Sequence, residues 1–363
     1  MARLKVGLIF GGKSGEHEVS LTSAFYIYNA LDKKKYDVKL IGIDKKGVWH
    51  TGSVKELWIN PGQTEITRLN VKTREITAVN KNGKVYLVDL NNGKIITNID
   101  IFFPITHGTF GEDGCLQGFL ELLGSAYVGP GVLGSAVGMD KDVMKKLFRD
   151  AGLSIGKFYT LRTGEKNNLA PIIRDLKFPI FVKPANLGSS VGVSKAKNRN
   201  ELMKAIKVAF QYDTKVVLEE NLKGREIECS VLGNEKPIAS MPGEIKLQSD
   251  FYSYDAKYIS PDAATPVPRA DLKPEIAKKV RETAIKVFKV LNCEGMGRVD
   301  FFLTPKKLYV NEINTLPGFT SVSMYPKMFA ESGIPYPKLL DKLIQLGMGR
   351  KKRSDKLKRD FIA

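Results

Sequence analysis

Two periods of apolar and polar residues alternate along this chain. Residues 4–10 form an apolar run that stops at Gly11-Gly12, the length and ending of a buried strand. Helical spacing follows over about 16–31, and a second apolar run covers 38–43. Strand, helix and strand in that order predict a parallel sheet. Between 48 and 98 the period changes. Asn82-Gly83 and Asn92-Gly93 bracket an alternating run over 84–90, which predicts a small antiparallel insertion. The parallel sheet resumes at 101–104. A glycine-rich loop follows over 107–114, then a helix to about 124.

A second region starts near Asp140, which can cap a helix running to about 151. The pattern then gives a strand at 155–161, a helix at 169–176 and a strand at 178–183. A glycine loop leads to a strand at 192–195, a helix at 201–211 and a strand at 216–220. From about 226 the strands read as mostly antiparallel. A polar, proline-containing loop covers 252–269 and a long helix 274–291. Strands around Arg298 and Val310 and two closing helices complete the chain. No internal repeat is visible.

A hydrophobic fraction of 43% supports buried cores, so a disordered chain is excluded. No apolar run is long enough for a membrane span, and the start of the chain lacks a signal-peptide pattern, so a cytoplasmic protein is expected. Three scattered cysteines and three scattered histidines give neither a disulfide framework nor a zinc motif. The net charge of +18 favours anionic partners. Some of it lies in the tail after Met348, which reads as a solvated end. A non-enzymatic nucleic-acid-binding protein would also be basic. It would need basic residues gathered with aromatics on one face, and here they are spread.

Three short motif matches fail on context. Gly7 to Ser14 fits a phosphate-binding P-loop string, but Leu8 to Phe10 still read as strand. The carboxylates of Glu16 and Glu18 would repel phosphate there. They suit a helix N-terminus or a cationic ligand such as an amine. Gly129 to Gly134 fits a dinucleotide fingerprint but lacks the following strand with an acidic end. Gly188 to Gly192 fits a nucleophile elbow but runs from strand to strand. That loop reads better as a glycine flap whose N–H groups and hydroxyls can cover phosphate oxygens.

The strongest constellation lies near the end of the chain. Strands at 299–303 and 308–313 predict a hairpin with a three-residue loop at 305–307, pairing Thr304 with Leu308. Counting back sets Asp300 opposite Glu312 and Arg298 opposite Asn314, all on one face. Two carboxylates about 5 Å apart repel by about 3 kcal/mol at an effective dielectric near 20. Arg298 could compensate, and so could a divalent cation held by the oxygen donors of Asp300, Glu312 and Asn314. Lys141, Lys183 and Lys257 supply the opposite charge that phosphates need.

Seven strings in order carry a resemblance. They are 11–20, 107–114, 139–141, 183–192, 255–258, 297–300 and 311–318. Together they resemble the D-alanine–D-alanine ligases, a family of ATP-grasp enzymes, over residues 4–347. The resemblance implies a three-domain fold of mixed α/β and α+β class. Residues 1–138 would form an N-terminal parallel-sheet domain for the first D-alanine. Residues 139–223 would form a central subdomain with the flap. Residues 224–347 would carry the metal and second-substrate sites, with 348–363 as a basic tail. It also implies ATP, two Mg²⁺ or Mn²⁺ ions and D-alanine as ligands, a homodimer, no nucleic acid, no membrane, and a role in peptidoglycan precursor synthesis.

By the same resemblance, Glu16 would bind the first D-alanine's ammonium, with His107 nearby. Arg298 and the Gly318 N–H would stabilise a tetrahedral oxyanion. Ser323, with Met324 beside it, would hold the second D-alanine's carboxylate. Ser189 and Tyr258 would close the site over Glu16. Lys141, Lys183, Ser189, Ser190 and Lys257 would contact ATP phosphates. Glu219, Glu220 and Leu222 would line the adenine pocket and Glu226 would hold the ribose. Asp300, Glu312 and Asn314 would bind the metal. Tyr258 would favour an amine over D-lactate as second substrate. Ligases that use D-lactate or D-serine are the neighbouring alternative.

Overall fold

In the computed structural model, residues 3–64, 66–188, 191–247 and 264–358 are described. Ser189, Ser190, Lys257 and Tyr258 lie outside them.

The first sheet has eight strands, in the order Ala126–Tyr127, Ile101–Pro104, Leu4–Gly11, Tyr36–Ile43, Trp49–Thr51, Arg74–Lys81, Lys84–Asp89, Ile95–Ile99. The first four run parallel and the rest pair antiparallel, so the insertion extends the parallel sheet as its far edge. Asn82 and Gly83 both take positive φ, the requirement of a tight two-residue hairpin turn.

Leu4–Gly11 is the strand where the winding reverses. Its neighbours are Tyr36–Ile43 on one side and Ile101–Pro104 on the other. In open α/β sheets, ligands sit in the crevice beyond the carboxyl ends at such a point. The loops after Leu4–Gly11 and Ile101–Pro104 hold Glu16 and His107. Ser20 ties the two strand ends together: it accepts from Gly11 N at 2.7 Å and donates to Ile105 O at 2.6 Å. A side chain at Gly11 would place Cβ 2.2 Å from the Ile43 carbonyl oxygen, so the turn admits only glycine.

A four-stranded antiparallel sheet follows, in the order Phe158–Arg162, Lys215–Glu220, Ile180–Pro184, Ser194–Ala196. Helices Leu169–Leu176 and Arg199–Ala209 bury Leu169, Ile172, Leu202 and Ala205 into its core. The third sheet runs Ala264–Val267, Gly243–Leu247, Arg225–Gly233, Gly295–Leu303, Leu308–Asn314, with Ile238–Ala239 paired to Arg225–Gly233. Its core takes Val280, Val287 and Phe288 from helix Pro274–Val290, and Met144 and Phe148 from helix Lys141–Asp150. The last helix, Tyr336–Ser354, returns to the first sheet. Its Leu339, Leu340, Leu343 and Ile344 pack with Val6, Leu8 and Phe10.

Like the single-turn helix Val54–Leu57, helix Val132–Met139 has no counterpart in the sequence pattern. Gly134 and Gly138 hide it, because glycine is a poor helix former. They are there for space: a Cβ on Gly138 would come within 2.5 Å of Thr315 Cγ2.

Candidate active site

The hairpin Gly295–Leu303 and Leu308–Asn314 holds Arg298 opposite Asn314 and Asp300 opposite Glu312, as the spacing predicts. The route differs. Leu303, not Thr304, pairs with Leu308, so the loop is one residue longer than expected. A bulge then leaves Asn311 unopposed and restores the register before Glu312.

Arg298 makes a bidentate pair with Asp300, Nε to Oδ1 at 2.8 Å and Nη2 to Oδ2 at 2.7 Å. It also lies 3.3 Å from Glu228 Oε1. Glu228 stands opposite Asp300 on the other neighbouring strand. The guanidinium therefore faces three carboxylates, from Asp300, Glu228 and Glu312. Burial alone would lower its pKa; these charges outweigh it and hold the pKa well above the ordinary arginine value. Among the described residues, no three His, Cys, Asp or Glu side chains stand in metal-ligating geometry. Asp300 pairs with Arg298.

Two lysines converge on Glu219. Lys183 Nζ donates to Glu219 Oε2 at 2.9 Å, and buried Lys145 lies 3.3 Å from Oε1. Burial opposes ionisation of Glu219, but the two ammonium groups overcome it and hold the carboxyl well below the usual range. Burial likewise opposes the Lys183 charge, yet Glu219 and Glu312 raise its pKa. Burial prevails at Lys145, whose pKa falls below the usual lysine value. Glu219 Oε1 is buried and paired by charge with Lys145, and it lacks a well-formed hydrogen bond among the described residues. It can accept from the exocyclic amine of a purine.

Asp140 caps helix Lys141–Asp150, accepting from Asp142 N and Val143 N at 3.0 Å each. Lys141, the first helical residue, donates to Leu187 O at 2.6 Å, at the root of the flap. The same root reaches Glu16: a Cβ on Gly188 would sit 2.6 Å from Glu16 Oε2. Glu16 is nearly buried, at the N-terminus of helix His17–Ala30. Its negative charge is one of the forces acting on Glu112, which is buried and accepts from Gly108 N at 2.8 Å. Burial, then Glu16, push the Glu112 carboxyl up to about 8.

His107 is buried, and its ring nitrogens face Leu316 O at 3.0 Å and Ser23 Oγ at 3.3 Å. Burial lowers its pKa, against a smaller opposing pull from Glu16. Asn314 Oδ1 accepts from Leu316 N at 3.1 Å. One chain of contacts thus joins the Glu16 crevice to the Arg298 face. Ser323 is the N-cap of helix Met324–Glu331, and its Oγ accepts from Thr320 N at 2.9 Å. Gly318 lies against it, since a Cβ there would come 2.8 Å from Ser323 Oγ. Met324 is buried behind them. Glu220 and Leu222 lie at the far end: Glu220 accepts from Lys157 N at 2.7 Å, and Leu222 packs beside Gly156. Glu226 stands on strand Arg225–Gly233, two residues before Glu228.

Sequence reasoning missed Lys145, Glu112, Glu228 and Ser23. Two of them carried a signal. Lys145 lies four residues after Lys141, on the same helix face, and Glu228 lies two after Glu226, on the same strand face.

The chain matches two family models, "D-ala D-ala ligase N-terminus" over residues 5–130 and "D-ala D-ala ligase C-terminus" over 147–345. It is 48% identical over 357 residues to a D-alanine–D-alanine ligase of Oceanobacillus iheyensis, covering 98% of each chain. Among solved structures, the D-alanine–D-alanine ligase of Coxiella burnetii has a TM-score of 0.84 and 38% identity, covering 98% of this chain and 97% of its own. The VanG D-Ala:D-Ser ligase of Enterococcus faecalis has a TM-score of 0.83 and 37% identity, covering 95% of this chain and 100% of its own.

Proposed function

The chain belongs to the D-alanine–D-alanine ligase family, and we infer from that premise that it joins two D-alanines into D-alanyl-D-alanine with ATP. The observation that carries the residue roles is the meeting of three groups at one crevice. These are the Glu16 carboxylate, the flap root held by Lys141, and the loop joining Asn314 to Gly318.

A first D-alanine sets its ammonium against Glu16. Its carboxylate attacks the γ-phosphorus of ATP, the bond to the leaving ADP breaks, and D-alanyl phosphate forms. Lys141, Lys183 and, from outside the described residues, Lys257 neutralise phosphate charge, which this chemistry needs more than covalent help. Ser189 and Ser190 of the flap cover the phosphates. Glu219 takes the adenine amine on its open oxygen, with Glu220 and Leu222 lining the pocket and Glu226 at the ribose. The second D-alanine, its carboxylate on Ser323 beside Met324, attacks the acyl carbon with its amine. Arg298 and the Gly318 N–H stabilise the resulting oxyanion, and phosphate leaves. Tyr258 and Ser189 close over Glu16 and exclude water.

The oxygen donors of Asp300, Glu312 and Asn314 suit Mg²⁺ or Mn²⁺, which would supply charge neutralisation at the phosphates. The Arg298 pair takes one lone pair on each Asp300 oxygen, so Asp300 could hold the cation and the guanidinium together, with Glu228 also beside Arg298.

The product fits peptidoglycan precursor synthesis in the cytoplasm. No helix of the described residues is long and apolar enough to cross a membrane. Phe119, Leu122, Val132 and Leu133 are exposed on two adjoining helices and support the expected homodimer.

The test is phosphate release with ATP and Mg²⁺, comparing D-alanine alone with D-alanine plus D-lactate or D-serine, with product masses recorded. D-alanyl-D-alanine as the main product is expected. Turnover only with D-lactate or D-serine as acceptor would refute the assignment of the second substrate.

A further inference from the structure

Ser23, on helix His17–Ala30, and Phe319, beyond the last strand, are 296 residues apart in sequence and touch in the fold. Ser23 is fully buried, so its hydroxyl must be satisfied inside the protein. It accepts from Phe319 N at 3.2 Å and meets His107 Nε2 at 3.3 Å. Across the ring, Nδ1 meets Leu316 O at 3.0 Å. A carbonyl can only accept, so Nδ1 carries a proton, and in the neutral ring that burial favours Nε2 is an acceptor. The Ser23 hydroxyl must then donate to Nε2.

The order of bonds is therefore fixed. Phe319 N–H donates to Ser23, Ser23 to His107, and His107 to Leu316 O. This relay starts and ends on one loop, 316–319, and Gly318 lies inside it. Both anchors come from the first sheet's side of the crevice. Both ring nitrogens of His107 are used by protein.

We propose that Ser23 and His107 are positioning residues that hold the 316–319 loop so that the Gly318 N–H faces the reacting carbonyl. The inference rests on the role given above to Gly318. Phosphorylation of the first D-alanine draws on the lysines of the opposite wall, whereas attack by the second draws on this loop. A loosened loop slows the second half-reaction more than the first. D-alanyl phosphate that waits is attacked by water at its acyl carbon, the bond to the phosphate oxygen breaks, and D-alanine and phosphate return. ATP is then consumed without dipeptide.

The experiment uses the full chain with Ser23→Ala and, separately, His107→Asn. The Asn amide can keep the bond to Leu316 O but cannot reach Ser23. Dipeptide and phosphate are counted at saturating ATP, Mg²⁺ and D-alanine, and exchange of the Phe319 amide is followed without ligands. For Ser23→Ala, dipeptide kcat should fall at least ten-fold with the KM for ATP within two-fold. The dipeptide-to-phosphate ratio should fall from one to below one half, and the Phe319 amide should exchange at least ten-fold faster. His107→Asn should lower the ratio by less, and it carries the test alone if Ser23→Ala does not fold. A ratio of one in the folded variants overturns the proposal, as does unchanged Phe319 exchange in Ser23→Ala. A wild-type chain that makes no dipeptide would instead refute the ligase reading itself.

Discussion

At the scale of single residues, the crevice sets buried charges against one another, two lysines on Glu219 and three carboxylates on Arg298. Glu16 stands where an ammonium would neutralise it, with Gly188 as the lid that allows its approach. Glu16→Gln keeps the shape and removes the charge. Losing one half of a buried charge-assisted contact to a ligand costs about 2–5 kcal/mol. Half-saturation for the first D-alanine should therefore rise at least thirty-fold, while nucleotide binding measured by calorimetry changes little. Unchanged half-saturation would remove Glu16 from substrate binding. The candidate residues at chain turns stand out in the sequence, because glycines and charges crowd there without an apolar period. Ser23 and Glu112 do not. A serine on a helix and an acid in a glycine-rich loop carry no apolar signal, and their contacts to Phe319 N and Leu316 N come from the far end of the chain.

At the scale of elements, capping and register aim these side chains. Asp140 fixes the start of the helix that carries Lys141 and Lys145, and it also pairs with Lys215. Asp140→Ala should lower stability by about 1–2 kcal/mol in urea denaturation. Asp140→Asn keeps the capping oxygen and should lose only part of that. Equal losses would assign the effect to the Lys215 pair rather than the cap. The hairpin shows where sequence reading ends. Counting back from a three-residue turn sets Asp300 opposite Glu312, and the structure agrees, yet the turn is one residue longer. The bulge at Asn311 absorbs the difference, and Lys145 donates to the Asn311 carbonyl there at 3.2 Å. Apolar periodicity carries face but not loop length. The small-residue helix Val132–Met139 was lost for a related reason: its glycines answer to neighbours in space, which propensity cannot see.

At the scale of the whole molecule, the chain closes on itself. The final helix packs on the first sheet, Arg350 stacks over Tyr127 and donates to Tyr127 O, and the 316–319 loop is held by Ser23 and His107. Two titrating groups sit at this joint, and they pull stability in opposite directions with pH. Burial depresses the His107 pKa, so below about 6.5 the unfolded chain binds a proton that the native ring refuses, and stability falls with acid. Burial raises Glu112 to about 8, so between about 4.5 and 8 the native state holds a proton that the unfolded chain has released. That contribution is intact below 4.5 and is lost as pH rises through 8, at up to roughly 1.4 kcal/mol per unit. Glu112→Gln keeps an acceptor for Gly108 N and cannot ionise. Its Tm relative to wild type should be near parity at pH 5 and climb steadily to pH 8, while the acid-side loss from His107 persists in both proteins. A Tm difference independent of pH would mean that Glu112 ionises in the folded protein as freely as in the unfolded chain. The joint would then hold two buried negative charges, Glu16 and Glu112, at one crevice. Lys141 and the backbone N–H groups of Gly108 and Leu316 act against the charge of Glu112.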